Sequence, residues 1–182
     1  MRIARHLLLL VALVSLGIAD TASAQAPRRF LVQAYGAYVP VSGDLALGDG
    51  WSVIGTLGIM PLPHLWLLGD VGYTWHRGAD DSPDWQATSY FGMLGYSPVP
   101  LNMNGLLIFY AGAGSMKLDP EAEDSSVRSD FAANLGIKLV YDFGRHVAGT
   151  VDVAWAVAFS DNDYVGGEIW AYPFGFGLAV RF

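Results

Sequence analysis

Alternation with a period of two residues runs along most of this chain, and it is clearest at the C-terminal end, from Trp170 to Phe182. Trp170, Tyr172, Phe174, Phe176, Leu178, Val180 and Phe182 share one face, while Ala171, Pro173, Gly175, Gly177, Ala179 and Arg181 share the other. Such a period predicts a β-strand, since successive side chains along a strand point to opposite faces. A strand of a water-soluble domain would set its large apolar face against a polar one. Here the second face is small apart from one cation, which suits a closed membrane barrel with bulky residues in lipid and small ones in a narrow interior.

Reading forward from Gln25, the pattern predicts eight strands, approximately 29–40, 51–60, 64–76, 85–97, 105–117, 129–142, 146–159 and 168–182. Each reaches the roughly 9 to 11 residues that a tilted strand needs to cross an outer membrane. In the seventh, Val147, Gly149, Val151, Val153, Trp155, Val157 and Phe159 oppose Ala148, Thr150, Asp152, Ala154, Ala156, Ala158 and Ser160. The third sets Leu65, Leu67, Val71, Tyr73 and Trp75 against Trp66, Leu68, Asp70, Thr74 and His76, and the sixth sets Phe131, Leu135, Ile137 and Tyr141 against Asp130, Asn134 and Lys138. The fourth and fifth are apolar on both faces, which leaves their facing open.

Connections after the second, fourth and sixth strands are short or punctuated by proline: Pro61-Leu62-Pro63, Ser97 to Asn102, and Asp142 to Arg145. The others are longer and acidic, carrying Asp44 and Asp49; Asp80, Asp81 and Asp84; Asp119, Glu121, Glu123 and Asp124; then Asp161, Asp163 and Glu168. An up-and-down meander gathers all four at one mouth, and the short-turn, long-loop layout of transmembrane barrels makes that mouth extracellular. The expected fold is therefore all-β, an eight-stranded antiparallel up-and-down transmembrane β-barrel with both termini in the periplasm. Tyr38, Trp51, Trp75, Trp85, Tyr141, Trp155, Phe159 and Trp170, with Phe30, are candidates for two interfacial aromatic girdles. A soluble lipocalin-like barrel would have an apolar interior, whereas the interior candidates here are Asp, Lys, Arg, Thr, Asn and Gly.

The first 24 residues read as a secretory signal peptide, with Arg2 and Arg5, an apolar stretch from Leu7 to Ile18, and Ala22-Ser23-Ala24 as the cleavage site. That stretch is shorter than the roughly 20 residues of a spanning helix. Residues 25–182 then form a single barrel domain. Only 15% of the chain is charged against 53% hydrophobic, well below the roughly one quarter charged of soluble domains, as a lipid-facing exterior requires. No cysteine is present, which excludes disulfides, thiolate metal sites and a cysteine nucleophile. A formal charge of −7 speaks against nucleic-acid binding, which needs basic patches.

With these features in place, residues 25–182 resemble the small OmpA-like and OmpW-like outer-membrane β-barrel superfamily. The likeness is carried by Tyr35-Gly36-Ala37-Tyr38, Tyr110-Ala111-Gly112-Ala113-Gly114, Asn134-Leu135-Gly136-Ile137-Lys138 and the terminal Phe182. It implies a bacterial outer-membrane location among phospholipid and lipopolysaccharide, and recognition of the C-terminal strand, with Phe182 as its signal, by the outer-membrane assembly machinery. OmpA continues into a peptidoglycan-binding domain. This sequence stops at the barrel, so that role is not implied, and a monomer is expected.

Enzymes exist among small outer-membrane barrels, including lipid A deacylases and palmitoyltransferases. A deacylase needs Ser, His and an orienting carboxylate, and that family carries its His and Ser side by side. His146 is instead followed by Val147 and Ala148, and His64 and His76 lie near strand ends. No catalytic residue and no cofactor site is therefore assigned. His6 leaves with the signal peptide, and the three remaining, dispersed histidines give no transition-metal spacing; Asp161, Asp163 and Glu168 are weak Ca²⁺ candidates in a stretch that lacks EF-hand spacing. Asp70, Lys138 and Asp152 fall on inward faces at similar heights, predicting a polar network that plugs the lumen, since eight strands leave room only for side chains. The expected role is structural or in surface interaction, without catalysis; a narrow channel for a small solute is the alternative, and a lipid-modifying enzyme the third.

Overall fold

A computed structural model describes residues 28–42, 47–78, 84–98, 104–120, 128–161 and 166–182. The signal peptide read at residues 1–24 lies outside them. So do the loop acids Asp44, Asp80, Asp81, Glu121, Glu123, Asp124 and Asp163. The strands are β1 (Phe30–Val39), β2 (Val41–Ser42), β3 (Leu47–Leu62), β4 (Leu65–Gly78), β5 (Trp85–Tyr96), β6 (Gly105–Pro120), β7 (Arg128–Asp142), β8 (Val147–Asp161), β9 (Gly166–Ala171) and β10 (Phe174–Arg181).

These ten strands make eight staves, because β1 runs on into β2 across Pro40 and β9 into β10 near Pro173. Proline has no N–H to offer a ladder, and the two interruptions share one seam, where the Tyr172 amide donates to the Pro40 carbonyl at 3.0 Å. Pairing is antiparallel throughout, and β1 closes on β10 from Leu31↔Arg181 to Tyr38↔Phe174. The circuit is completed by β8 against β10, from Val147↔Val180 to Val153↔Phe174. Closure leaves the backbone groups of the ring paired within the protein, as a bilayer interior requires. β3 begins before the predicted position 51, since Gly50 and Trp51 are still paired with His76 and Trp75.

The outer surface is a belt of large apolar side chains, among them Leu57, Leu94, Leu135, Phe176 and Leu178. A patch of that extent marks a membrane-contacting face. Aromatic pairs border it at both ends. At the short-turn end Phe30 stacks on Phe182 with centroids 5.4 Å apart, and Tyr141 meets Phe143 edge-on at 5.9 Å. At the long-loop end Tyr38 packs on Trp51 at 5.3 Å and Tyr73 on Trp75 at 4.6 Å. Phe131 and Tyr141 bracket about 33 Å of β7, or roughly 25 Å of membrane thickness at a strand tilt near 40°.

Trp85 departs from the expected girdle. It is buried inside the barrel, because β5 turns Trp85, Ala87 and Met93 inward while Tyr90, Leu94 and Tyr96 are exposed. With apolar residues on both faces of that strand, only its pairing with β4 and β6 fixes the facing.

Candidate functional site

The interior is stacked in layers, and each layer follows from which side chains the staves turn inward. Nearest the short turns lies an apolar core. Leu31 of β1, Trp66 and Leu68 of β4, Met93 of β5, Ile108 of β6, Val140 of β7, Ala148 of β8 and Ala179 of β10 form one cluster, and Met60 of β3 packs against it. All eight staves contribute, so the cluster crosses the whole lumen. The plug is therefore not, as the sequence reading expected, made of polar side chains alone. The short-turn half is filled mainly by apolar residues, because β5 and β6, whose facing the sequence left open, turn Met93, Leu106 and Ile108 inward.

Above that core sits an ionic layer. Lys138 and Asp152 face each other across the directly paired positions of β7 and β8, and the Lys138 ammonium forms an ion pair with the Asp152 carboxylate, both side chains being at most 2% exposed. Tyr110 donates its hydroxyl to the other oxygen of Asp152 at 2.7 Å. Lys138 Nζ also reaches Thr56 Oγ1 at 3.5 Å and lies 4.8 Å from the centre of the Tyr35 ring. Thr56 in turn hydrogen-bonds Asp70. The three charged residues singled out in the sequence are thus brought together, with Asp70 near enough to Lys138 for their charges to attract but outside the Lys138–Asp152 ion pair. A buried ion needs a partner and hydrogen bonds to offset its desolvation; Lys138 has a carboxylate, a hydroxyl and an aromatic face.

Two glycines make room for this layer. A Cβ on Gly136 would lie 2.6 Å from Tyr110 Cζ, and one on Gly175 would lie 2.6 Å from Tyr35 Cδ2. Both tyrosine rings therefore lie flat against wall positions that tolerate no side chain.

On the long-loop side of the ionic layer the lumen opens into a cavity. Tyr35, Asp70, Tyr110 and Asp152 line its floor, and Ala87, Ala132, Ala154, Ala156 and Ala158 give it width. Near the mouth Trp85, Leu118 and Ile169 pack together.

At the opposite end the sequence reading missed a second ionic cluster. Asp142 accepts from Arg28 at 2.7 Å and from Arg181 at 2.9 Å. The contact ties the end of β7 to the residues flanking the β1/β10 seam. Its members are far apart in the sequence, so only closure of the ring discloses it.

Three histidines, His64, His76 and His146, lie among the described residues. Each directs Nδ1 to a backbone carbonyl: His64 to Ser97, His76 to Gly48 and His146 to Arg181, at 2.7, 3.1 and 3.1 Å. Of the Ca²⁺ candidates, Asp163 lies outside the described residues, as does the side chain of Asp161. Glu168 is exposed and accepts from Trp170 Nε1 at 3.1 Å. Among the described residues no group of three or more His, Asp or Glu is placed to hold a metal. Phe182, besides stacking on Phe30, exchanges backbone hydrogen bonds with it at 2.9 and 3.2 Å.

Against known proteins, no family model matches the chain and no curated protein sequence matches it. Solved structures do. Neisserial surface protein A superposes with a TM-score of 0.71 at 16% identity, covering 84% of this chain and 97% of that one. The outer-membrane protein OprG of Pseudomonas aeruginosa gives 0.62 at 10% identity over 85% and 96%. The outer-membrane enzyme PagL gives 0.53 at 14% identity over 84% and 99%. The chain thus has the fold of small outer-membrane β-barrels, as the sequence resemblance implied. That fold is shared by a surface protein and by an enzyme, and does not choose between them.

Proposed function

We propose that the protein is a non-enzymatic, monomeric outer-membrane barrel with a structural or surface-interaction role, exerted through the loops at its long-loop mouth. One observation carries this reading: the lumen is closed by the eight-stave apolar cluster and, above it, by the Lys138–Asp152 layer. A solute entering at the long-loop end would meet packed side chains before reaching the short turns. The long-loop mouth is then left as the working face. In this reading it is extracellular and acidic, both termini are periplasmic, the belt contacts phospholipid and lipopolysaccharide, and Phe182 presents the C-terminal strand to the assembly machinery.

Two measurements on one preparation test the proposal. Planar-bilayer recordings of the refolded protein should give no steady unitary conductance, and lipid A from cells that overproduce it should keep its mass. A stable conductance step would establish the channel reading. Loss or gain of an acyl chain on lipid A would establish the enzyme.

A further inference from the structure

We propose that the cavity above the ionic layer is a binding site for a small organic cation, a protonated amine bearing an aromatic or apolar group. The inference does not depend on which way the barrel faces, nor on the role of its loops.

The floor carries an unbalanced charge. Asp70 and Asp152 both line the cavity, while Lys138, the cation of this layer, is closed on Asp152. Asp70 is 7% exposed, and its Oδ1 has no hydrogen-bond partner among the described residues. An acceptor buried in that way costs stability until a donor reaches it. The amide oxygen of Asn134, which also lines the cavity, is likewise without a donor among those residues. Vacant acceptors in a layer that holds two carboxyl groups and one lysine suit a ligand that brings N–H groups and positive charge. Water supplies the first without the second.

The walls select the rest of the ligand. Phe91, Tyr35 and Tyr110 bring aromatic rings to the walls, those of Tyr35 and Tyr110 already meeting Lys138 Nζ at 4.8 and 5.5 Å, and an aromatic ring attracts an ammonium group through its quadrupole. Ile54, Leu118 and Ile169 offer apolar contact. A site of this kind, mostly apolar with a few convergent polar groups, is the usual design of a small-molecule pocket. A bare metal ion would meet oxygens of Asp70, Ser52, Thr74 and Ser89 but would leave the apolar walls unused, and an anion would meet the Asp70 carboxylate. Because the apolar core seals the far side, the cavity is a site and not a passage.

The test uses the protein refolded into lipid nanodiscs and followed by backbone amide NMR, with 2-phenylethylammonium as the cationic probe, 2-phenylethanol as its neutral counterpart and phenylacetate as the anion. The ammonium should produce saturable shifts at Asp70, Phe91 and Asn134, at least tenfold tighter than the alcohol, and the carboxylate should produce none. Asp70→Asn should weaken the ammonium at least tenfold and leave the alcohol unchanged. Ala132→Leu, which fills the cavity and keeps the carboxylate, should abolish both, and it serves as the decisive variant if Asp70→Asn does not fold. Equal affinity for ammonium and alcohol, undiminished binding in either variant, or the same shifts from sodium or potassium chloride at matched concentration would overturn the proposal.

Discussion

The Lys138 side chain concentrates the interior electrostatics of the barrel in one group. It is fully buried, closes on Asp152, touches Thr56 and lies beneath the Tyr35 ring. Removing it strands Asp152 with Asp70 nearby, and breaking a buried ion pair from one side typically costs about 3 to 5 kcal/mol. Lys138→Ala should therefore unfold at lower urea concentration in lipid vesicles near neutral pH, and adding Asp152→Asn should recover part of the loss, since Tyr110 can still donate to the amide oxygen. If the double variant is no more stable than the single, the layer is not held by charge. Gly136 makes a second case. Ala at that position would push the Tyr110 ring off the wall and away from Asp152, at about 1 to 3 kcal/mol for an overpacked site. The residue-level site was partly legible in the sequence: strand parity alone put Asp70, Lys138 and Asp152 on inward faces. Tyr35, Tyr110 and Thr56 were not legible, because their approach depends on how neighbouring staves are staggered. Asp142, with Arg28 and Arg181, was hidden for the same reason.

At the level of elements, the strands followed the period-two pattern wherever one face was larger than the other. The seventh and eighth predicted strands correspond to β8 and to β9 with β10, differing by a few residues and by the break near Pro173. β5 and β6 escaped that logic because both of their faces are apolar, one for lipid and one for the core, so parity carried no information about which was which. The apolar floor of the lumen and the inward Trp85 were lost with it. The C-terminal strand also holds the seam: β10 pairs with both β1 and β8, and Phe182 finishes it against Phe30. Deleting Phe182, or replacing it by Asp, should lower the yield of folded barrel in cells. A charge near the interface costs at most about 1 kcal/mol, so a large deficit would come from assembly and not from stability. Heat-modifiable migration on gels reads the folded fraction, and wild-type yields for both variants would remove Phe182 from the assembly signal.

For the molecule as a whole, the parity of its connections predicts an orientation. β3 to β4, β5 to β6 and β7 to β8 turn at the end where Phe30 meets Phe182, and the other four connections leave from the opposite end. A chain that inserts with its C-terminal strand delivered from the periplasm keeps that seam on the periplasmic side. The short turn around Gly144, which is exposed, should then face the periplasm, and the acidic segments around Asp81 and Asp124 should face outward. Epitope tags placed at Asp81 and Asp124 should bind antibody on intact cells, and a tag at Gly144 should bind only after the outer membrane is permeabilised. The apolar cluster sits on the Gly144 side of the ionic layer, so this experiment also fixes which compartment the cavity opens to. Labelling of Gly144 on intact cells would invert the barrel, turning the acidic mouth and the cavity toward the periplasm and removing the basis for a role at the cell surface.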